Sequence, residues 1–407
     1  MAYVKFVAFS LLGILLLTFT MPATTSTPLS PEDSKALEDV TEGSNKFAIN
    51  LYQTLKKPNE NIIVSPISVQ IVLALAYSGA KSNTAKEIAS VLHLPDNLDE
   101  VLKGHKLLIQ SLENPVLKVA NKMFIEKTLG VKSDFQKNAL NYFSADAGQV
   151  DFIKNAEAAR NLINNWVLEK TNDKIKDLLA PGVVDAFTRM VLVNAIHFKA
   201  NWLKQFKPEL THDQDFHVST TEKVKVKMME MKSDFPFRYH RELDAKILEL
   251  PYSGNEFKMV IILPNKIDGL NEVENKLATI NLNEVLSGLH SVTVNVKIPK
   301  FKLESTIELK DILIKMGIKD IFDEGAADLS GISDERMYAS KVIQKAFIEV
   351  NEEGTEAAAA TAMVNGLTAS LGSHQPRPIT FIADHPFLFL LKKQNNILFL
   401  GKFFNGF

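Results

Sequence analysis

Asn351-Glu352-Glu353-Gly354-Thr355-Glu356-Ala357-Ala358-Ala359-Ala360-Thr361-Ala362-Met363 is a run with almost nothing bulky to bury. It follows the apolar stretch Val342–Val350, which predicts a strand reaching Asn351, and the next strand-like run begins only at Ile379. A connection of more than about 15 residues inside a compact domain is usually functional or disordered. In an extended chain Thr355, Ala357, Ala359, Thr361 and Met363 share one face, and Glu356, Ala358, Ala360 and Ala362 the other. Both faces are small or mildly polar. Such a segment can stay exposed and still slide between strands, because nothing large or charged blocks the inward face. Four consecutive alanines suit a helical turn as well, so periodicity alone leaves strand insertion and a plain surface loop open.

Outward from this stretch, the C-terminal side predicts a hairpin, Pro386–Leu391 and Ile397–Phe403, around Gln394-Asn395-Asn396. On the N-terminal side strand-like runs occupy Met190–Phe198, Lys223–Met229, Ala245–Leu250, Lys258–Leu263 and Val292–Val296, with a helix Glu308–Met316 closed by Gly317. Earlier still, helical periodicity follows Ser30-Pro31-Glu32-Asp33 through Leu55. It resumes over Ile67–Ala76, Lys86–Leu92, Leu98–Leu112 and Ala156–Glu169, with Val116–Phe124 strand-like between the last two. Helices first and sheets later predict an α+β fold with large antiparallel or mixed sheets.

The composition narrows the chemistry. The 407 residues are 46% hydrophobic and contain no cysteine, so disulfides, thiol nucleophiles and Cys-based metal sites are excluded. A net charge of -2 gives no footprint for nucleic acid or an anionic membrane. The nine histidines show no metal spacing, no Gly-x-Ser-x-Gly elbow is present, and no cofactor is implied. Lys5 followed by the largely apolar Phe6–Leu17 and the small Ala23 reads as a secretory signal peptide over residues 1–23, so an exported protein of residues 24–407 is expected.

The residues resemble one family, the serpins. Phe381-Ile382-Ala383-Asp384-His385-Pro386-Phe387-Leu388-Phe389-Leu390-Leu391 is similar to the family's terminal signature, and Asn351-Glu352-Glu353-Gly354-Thr355-Glu356-Ala357-Ala358 to its loop hinge. Asn61–Ser68, Leu192-Val193-Asn194-Ala195 with Lys199 and Trp202 beyond it, and Asp328-Leu329-Ser330-Gly331 are further landmarks in the right order. The wording Phe347-Ile348-Glu349-Val350-Asn351-Glu352-Glu353 looks most like insect members.

The resemblance implies three β-sheets with eight or nine helices and an exposed reactive-centre loop, here about residues 352–378. It also implies a monomer whose partner is a serine protease. The protease cleaves the loop and forms an acyl-enzyme; the hinge, Glu352 and Gly354 to Ala360, then enters the main sheet as a strand and the protease is trapped. Ser65, Ser68, Asn194 and Gln344 match the polar cluster where strands part, with Gln344 standing where the family commonly has histidine. Trp202, Lys300 and Glu352 match the place where insertion begins. Hinge spacing puts the scissile bond at Thr368-Ala369, with Leu367-Thr368 and Leu371-Gly372 open. No Lys or Arg lies between Gly354 and Pro376, and Arg377 precedes Pro378, so an elastase-like or chymotrypsin-like target is expected over a trypsin-like one. Lys103, His105 and Lys106 form a candidate glycosaminoglycan patch. A non-inhibitory serpin, acting as carrier, chaperone or storage protein, is the alternative.

Overall fold

Ser30 accepts a hydrogen bond from the Asp33 amide at 3.1 Å and caps the long helix Pro31–Leu55, whose first turn carries Glu32 and Asp33 near the positive end of the helix dipole. The computed structural model describes residues 28–145, 147–355 and 378–406. The expected leader, and the loop from Glu356 through Arg377 with every scissile-bond candidate, lie outside the described residues. Helix Pro66–Tyr77 is buried on all sides for nearly its whole length, as a sequence apolar on most sides requires, with Ser68 and Gln70 buried among the apolar residues.

The described strands form two hydrogen-bonded sheets, and nine α-helices surround them. The main sheet runs Ala147–Val150, Leu117–Glu126, Met190–Phe198, Lys341–Val350, with the edge strand Phe301–Glu308 on the far side of Lys341–Val350. Two short pieces, Gly354–Thr355 and Ala200–Asn201, complete it at one end. Strands of the second sheet include the hairpin Phe387–Lys393 and Asn396–Phe403 and the 18-residue strand Lys223–His240. That strand pairs in succession with His212–His217, His290–Pro299 and Ala245–Pro251. Its continuity links what were expected to be two sheets, which is why two hydrogen-bonded sheets stand where three were anticipated. The α+β class holds.

Both faces of the main sheet are covered. Leu192, Ile196, Phe198, Val342, Ala346, Ile348 and Val350 point into the large core shared with the second sheet. Val191, Val193, Ala195 and Ile343 belong to a smaller cluster under helix Phe152–Lys170. Alternate residues of one strand therefore serve two cores, and a fully buried side chain of this size contributes about 1.5–3 kcal/mol. The hairpin turn is tighter than expected: Lys393 pairs with Asn396, so only Gln394 and Asn395 make it, with Gln394 at φ 52°.

Candidate functional site: a seam and a hinge

The main sheet contains a parallel seam. Lys341–Phe347 pairs in register with Val191–His197, from Lys341 opposite Val191 to Phe347 opposite His197. Above the seam the chain reverses over Asn351–Glu353, and Gly354–Thr355 returns between the separating strands. Thr355 pairs with Val350 on one side and Ala200 on the other, antiparallel to both. The first hinge residues are therefore already inside the sheet.

Local chemistry dictates this reversal. The Asn351 side-chain oxygen accepts from the amides of Glu353 (3.0 Å) and Gly354 (3.1 Å), an Asx-type turn. The Asn351 amide donates to the Gly354 carbonyl at 2.9 Å. The Trp202 amide donates to the Glu353 carbonyl (2.8 Å) and the Phe206 amide to the Glu352 carbonyl (2.9 Å). The Trp202 indole N–H donates to the Asn351 carbonyl at 2.9 Å. Gly354 is at φ 156°, and a Cβ there would sit 2.1 Å from the Ala200 carbonyl oxygen, so a side chain cannot be accommodated.

Thr355 is fully buried, and its hydroxyl meets the equally buried Tyr252 hydroxyl at 2.7 Å. The Tyr252 ring stacks on Trp202 with centroids 4.3 Å apart and meets Phe198 edge-on at 5.0 Å. Lys300 reaches the Glu352 carboxylate at 3.0 Å, with side chains 44% and 12% exposed respectively. Burial opposes the charge on Glu352, but a backbone hydrogen bond and Lys300 outweigh it and hold the carboxyl below its usual range. Trp202, Lys300 and Glu352, singled out from sequence, are thus brought together at the hinge. Tyr252 was missed, and Asn351, quoted at the start of the hinge, was given no role of its own; the Asn-x-x-Gly spacing could have signalled its turn, whereas nothing local marks Tyr252.

Halfway down the seam lies a buried polar cluster. Gln344 Nε2 donates to the Ser65 carbonyl (2.8 Å) and to Asn194 Oδ1, while Gln344 Oε1 accepts from the Ser65 amide at 3.0 Å. The Ser65 hydroxyl donates to the Leu398 carbonyl at 2.6 Å, and Asn194 donates onward to Asn121. Gln344 and Asn194 face each other in the seam's own register. Ser68 corrects the expectation: it is buried, but its hydroxyl bonds to none of these groups, because it sits inside helix Pro66–Tyr77 one turn beyond Ser65. On the opposite face Lys345 donates to the Lys176 carbonyl at 2.8 Å and pairs with Glu304 at 2.8 Å, pinning the segment after helix Phe152–Lys170 over the seam.

The candidate glycosaminoglycan patch is corrected as well. Lys103 and Lys106 are exposed, but His105 is fully buried on the inner face of helix Leu98–Leu112. Burial drives its pKa from 6.5 down to about 4, only partly opposed by its bond to the Val101 carbonyl. It presents no charge to a ligand.

Residues 42–406 match the family described as Serpin (serine protease inhibitor). This chain is a serpin. Among its relatives, the leukocyte elastase inhibitor of Equus caballus is 39% identical over 382 residues, covering 90% of this chain and 99% of that protein. The crystal structure of Serpin48 from the insect Tenebrio molitor superposes with TM-score 0.81 at 37% identity, covering 92% of this serpin and 99% of that chain. Human thyroxine-binding globulin gives TM-score 0.81 at 30% identity, covering 91% and 99%. The serpin fold is therefore established for this chain, together with membership of a family of protease inhibitors.

Proposed function

We propose that this serpin inhibits a serine protease as a suicide substrate, with the seam as the slot that receives its cleaved loop. The observation that carries the reading is Gly354–Thr355 lying antiparallel to both separating strands. Continuing that pairing sets Ala357 between Ile348 and Phe198, Ala359 between Ala346 and Ile196, Thr361 between Gln344 and Asn194, and Met363 between Val342 and Leu192. The ladders on the two sides give the same partners, and both reach Lys341 and Val191 at Val364. One parallel ladder would become two antiparallel ones, the more stable arrangement per residue. The Gln344–Asn194 bond must break as the strands part, and the Thr361 hydroxyl would arrive between the two amides, able to donate and to accept.

The protease's serine oxygen attacks the scissile carbonyl, the new amino terminus leaves with a proton, and the acyl ester remains on the loop. Insertion then carries the protease away before water cleaves the ester. At about 1 kcal/mol net per ladder hydrogen bond, filling the slot yields on the order of 10 kcal/mol. The scissile bond is Thr368-Ala369, with Leu367-Thr368 and Leu371-Gly372 as alternatives. The target is elastase-like or chymotrypsin-like, the loop lacking Lys and Arg before Arg377. The Lys5–Ala23 leader pattern supports secretion, and the working unit is a monomer.

Incubation with elastase-, chymotrypsin- and trypsin-type proteases should give a complex that survives boiling in detergent with one of the first two. Sequencing of the released C-terminal peptide should place the cut within Leu367–Gly372. Cleavage with no complex would overturn inhibition, and trapping after Arg377 would overturn the specificity.

A carrier role is the second reading. A groove of about 780 Å3 lies between helix Pro31–Leu55, the segment Leu277–Asn283 and the turn Gln394–Asn396. Asn45 and Asn396, 7% and 5% exposed, are among the residues that line it. A groove of this size can take a small molecule. The alanine-rich, proline-free hinge favours the inhibitor.

A further inference from the structure

Tyr252 is a buried phenol whose hydroxyl has Thr355 as its hydrogen-bond partner among the described residues. Burial pushes its pKa far above the ordinary tyrosine value, so the oxygen keeps its proton and can always donate. A buried hydroxyl without a partner costs about 1–3 kcal/mol. Withdrawing Thr355 from the sheet would leave Tyr252 in that condition, and sliding the hinge deeper would carry Thr355 past it. The remaining contacts of the reversal, made by backbone groups, the Asn351 side chain, the Trp202 indole and the Lys300–Glu352 pair, brace the turn before the inserted pair. Tyr252 bonds the side chain of the inserted Thr355 itself, and so rewards this depth of insertion.

We infer that Tyr252 is a positioning residue that parks the hinge two residues deep in the sheet, so that insertion starts from a formed nucleus at the moment the loop is cut. The inference rests on the suicide-inhibitor reading above. Zippering from an existing antiparallel pair is fast, whereas forming the first pair of a ladder carries most of the ordering cost. The nucleus matters because insertion races ester hydrolysis, and a lost head start shows as more cleaved, uncomplexed inhibitor. Tyr252 acts through Thr355 and touches no reacting atom.

The test is Tyr252→Phe, which keeps the ring stacked on Trp202 and removes the hydroxyl alone. Two readouts apply. In the uncleaved chain, hydrogen exchange of the 351–355 amides should quicken about threefold to tenfold, the equivalent of one net hydrogen bond. With a protease that the wild type traps, the ratio of cleaved to complexed inhibitor should rise by a similar factor. Thr355→Val should do the same, and the double variant should be no worse than either single change, since both remove one bond. Unchanged exchange in Tyr252→Phe, or additive effects in the double variant, overturns the parking role. A wild type that traps no protease overturns the inhibitor reading, and the exchange result then still decides whether Tyr252 parks the hinge.

Discussion

Single side chains tie the stability of this molecule to pH. His105 sits against Phe143, ring centroids 5.6 Å apart, with one nitrogen bonded to the Val101 carbonyl and the other without a partner among the described residues. The folded chain takes a proton there only near pH 4, the unfolded chain near pH 6.5. Below pH 6.5 the unfolded state therefore binds more protons, so the stability that His105 contributes is complete above that value and drains away toward pH 4. The full loss is about 3 kcal/mol at 1.36 kcal/mol per pKa unit. His105→Leu should shrink the difference in urea midpoint between neutral pH and about pH 4.5, and an unchanged difference would remove His105 as its source. Glu352 follows the same sign at lower pH: its carboxyl is held below 4.5, so the Lys300 contact persists until acid below that range protonates it.

Among the elements, the hinge is the one whose two faces decide the outcome. Thr355→Arg would place a guanidinium where Thr355 now lies fully buried beside Tyr252, at a desolvation cost of several kcal/mol. Insertion should stall at its first residue, and the chain should be cut as a substrate; a detergent-stable complex at undiminished yield would contradict the slot. Elements with strong periodicity or caps were legible in the sequence: Met190–Phe198 appears with its predicted bounds, and the Gly317 stop closes Lys310–Met316 at φ 116°. Phe301–Glu308 was not read as a strand, because it is an edge strand alternating with Lys302, Glu304 and Thr306, and its charges look like loop. Helices Ser133–Phe143 and Leu270–Leu277 were missed for a related reason: each is short and buries only a narrow stripe, Phe135, Ala139 and Phe143 in the first. In the site, Gln344, Asn194 and Ser65 were recognisable by resemblance, whereas Asn121 meets Asn194, and Tyr252 meets Thr355, only through the three-dimensional register. Ser68 shows the limit, since position near a cluster does not fix a hydroxyl's partner.

On the suicide-inhibitor reading, the whole molecule would store free energy in the topology of the main sheet. Most of that sheet is sealed by two cores, yet its centre is a parallel ladder from Lys341 to Phe347 that an antiparallel strand can split, and the splitting strand has already entered at the top. On that reading the uncleaved form would persist because its loop is tethered at both ends, at Thr355 and at the strand Ile379–Ile382 paired with His290–Pro299, so that full insertion first requires a cut or the loss of that second pairing. Cutting the loop inside Leu367–Gly372 should therefore raise heat resistance. A gain on the order of 10 kcal/mol, at about 2 °C per kcal/mol for a chain of this size, corresponds to a midpoint roughly 20 °C higher. Differential scanning calorimetry before and after limited proteolysis measures it directly, at two scan rates because a kinetically trapped uncleaved form would melt at a rate-dependent temperature. A cleaved chain that melts where the intact one does would leave the seam with no energy to release, and neither Gly354–Thr355 nor the alanines after it could then drive a protease from its ester.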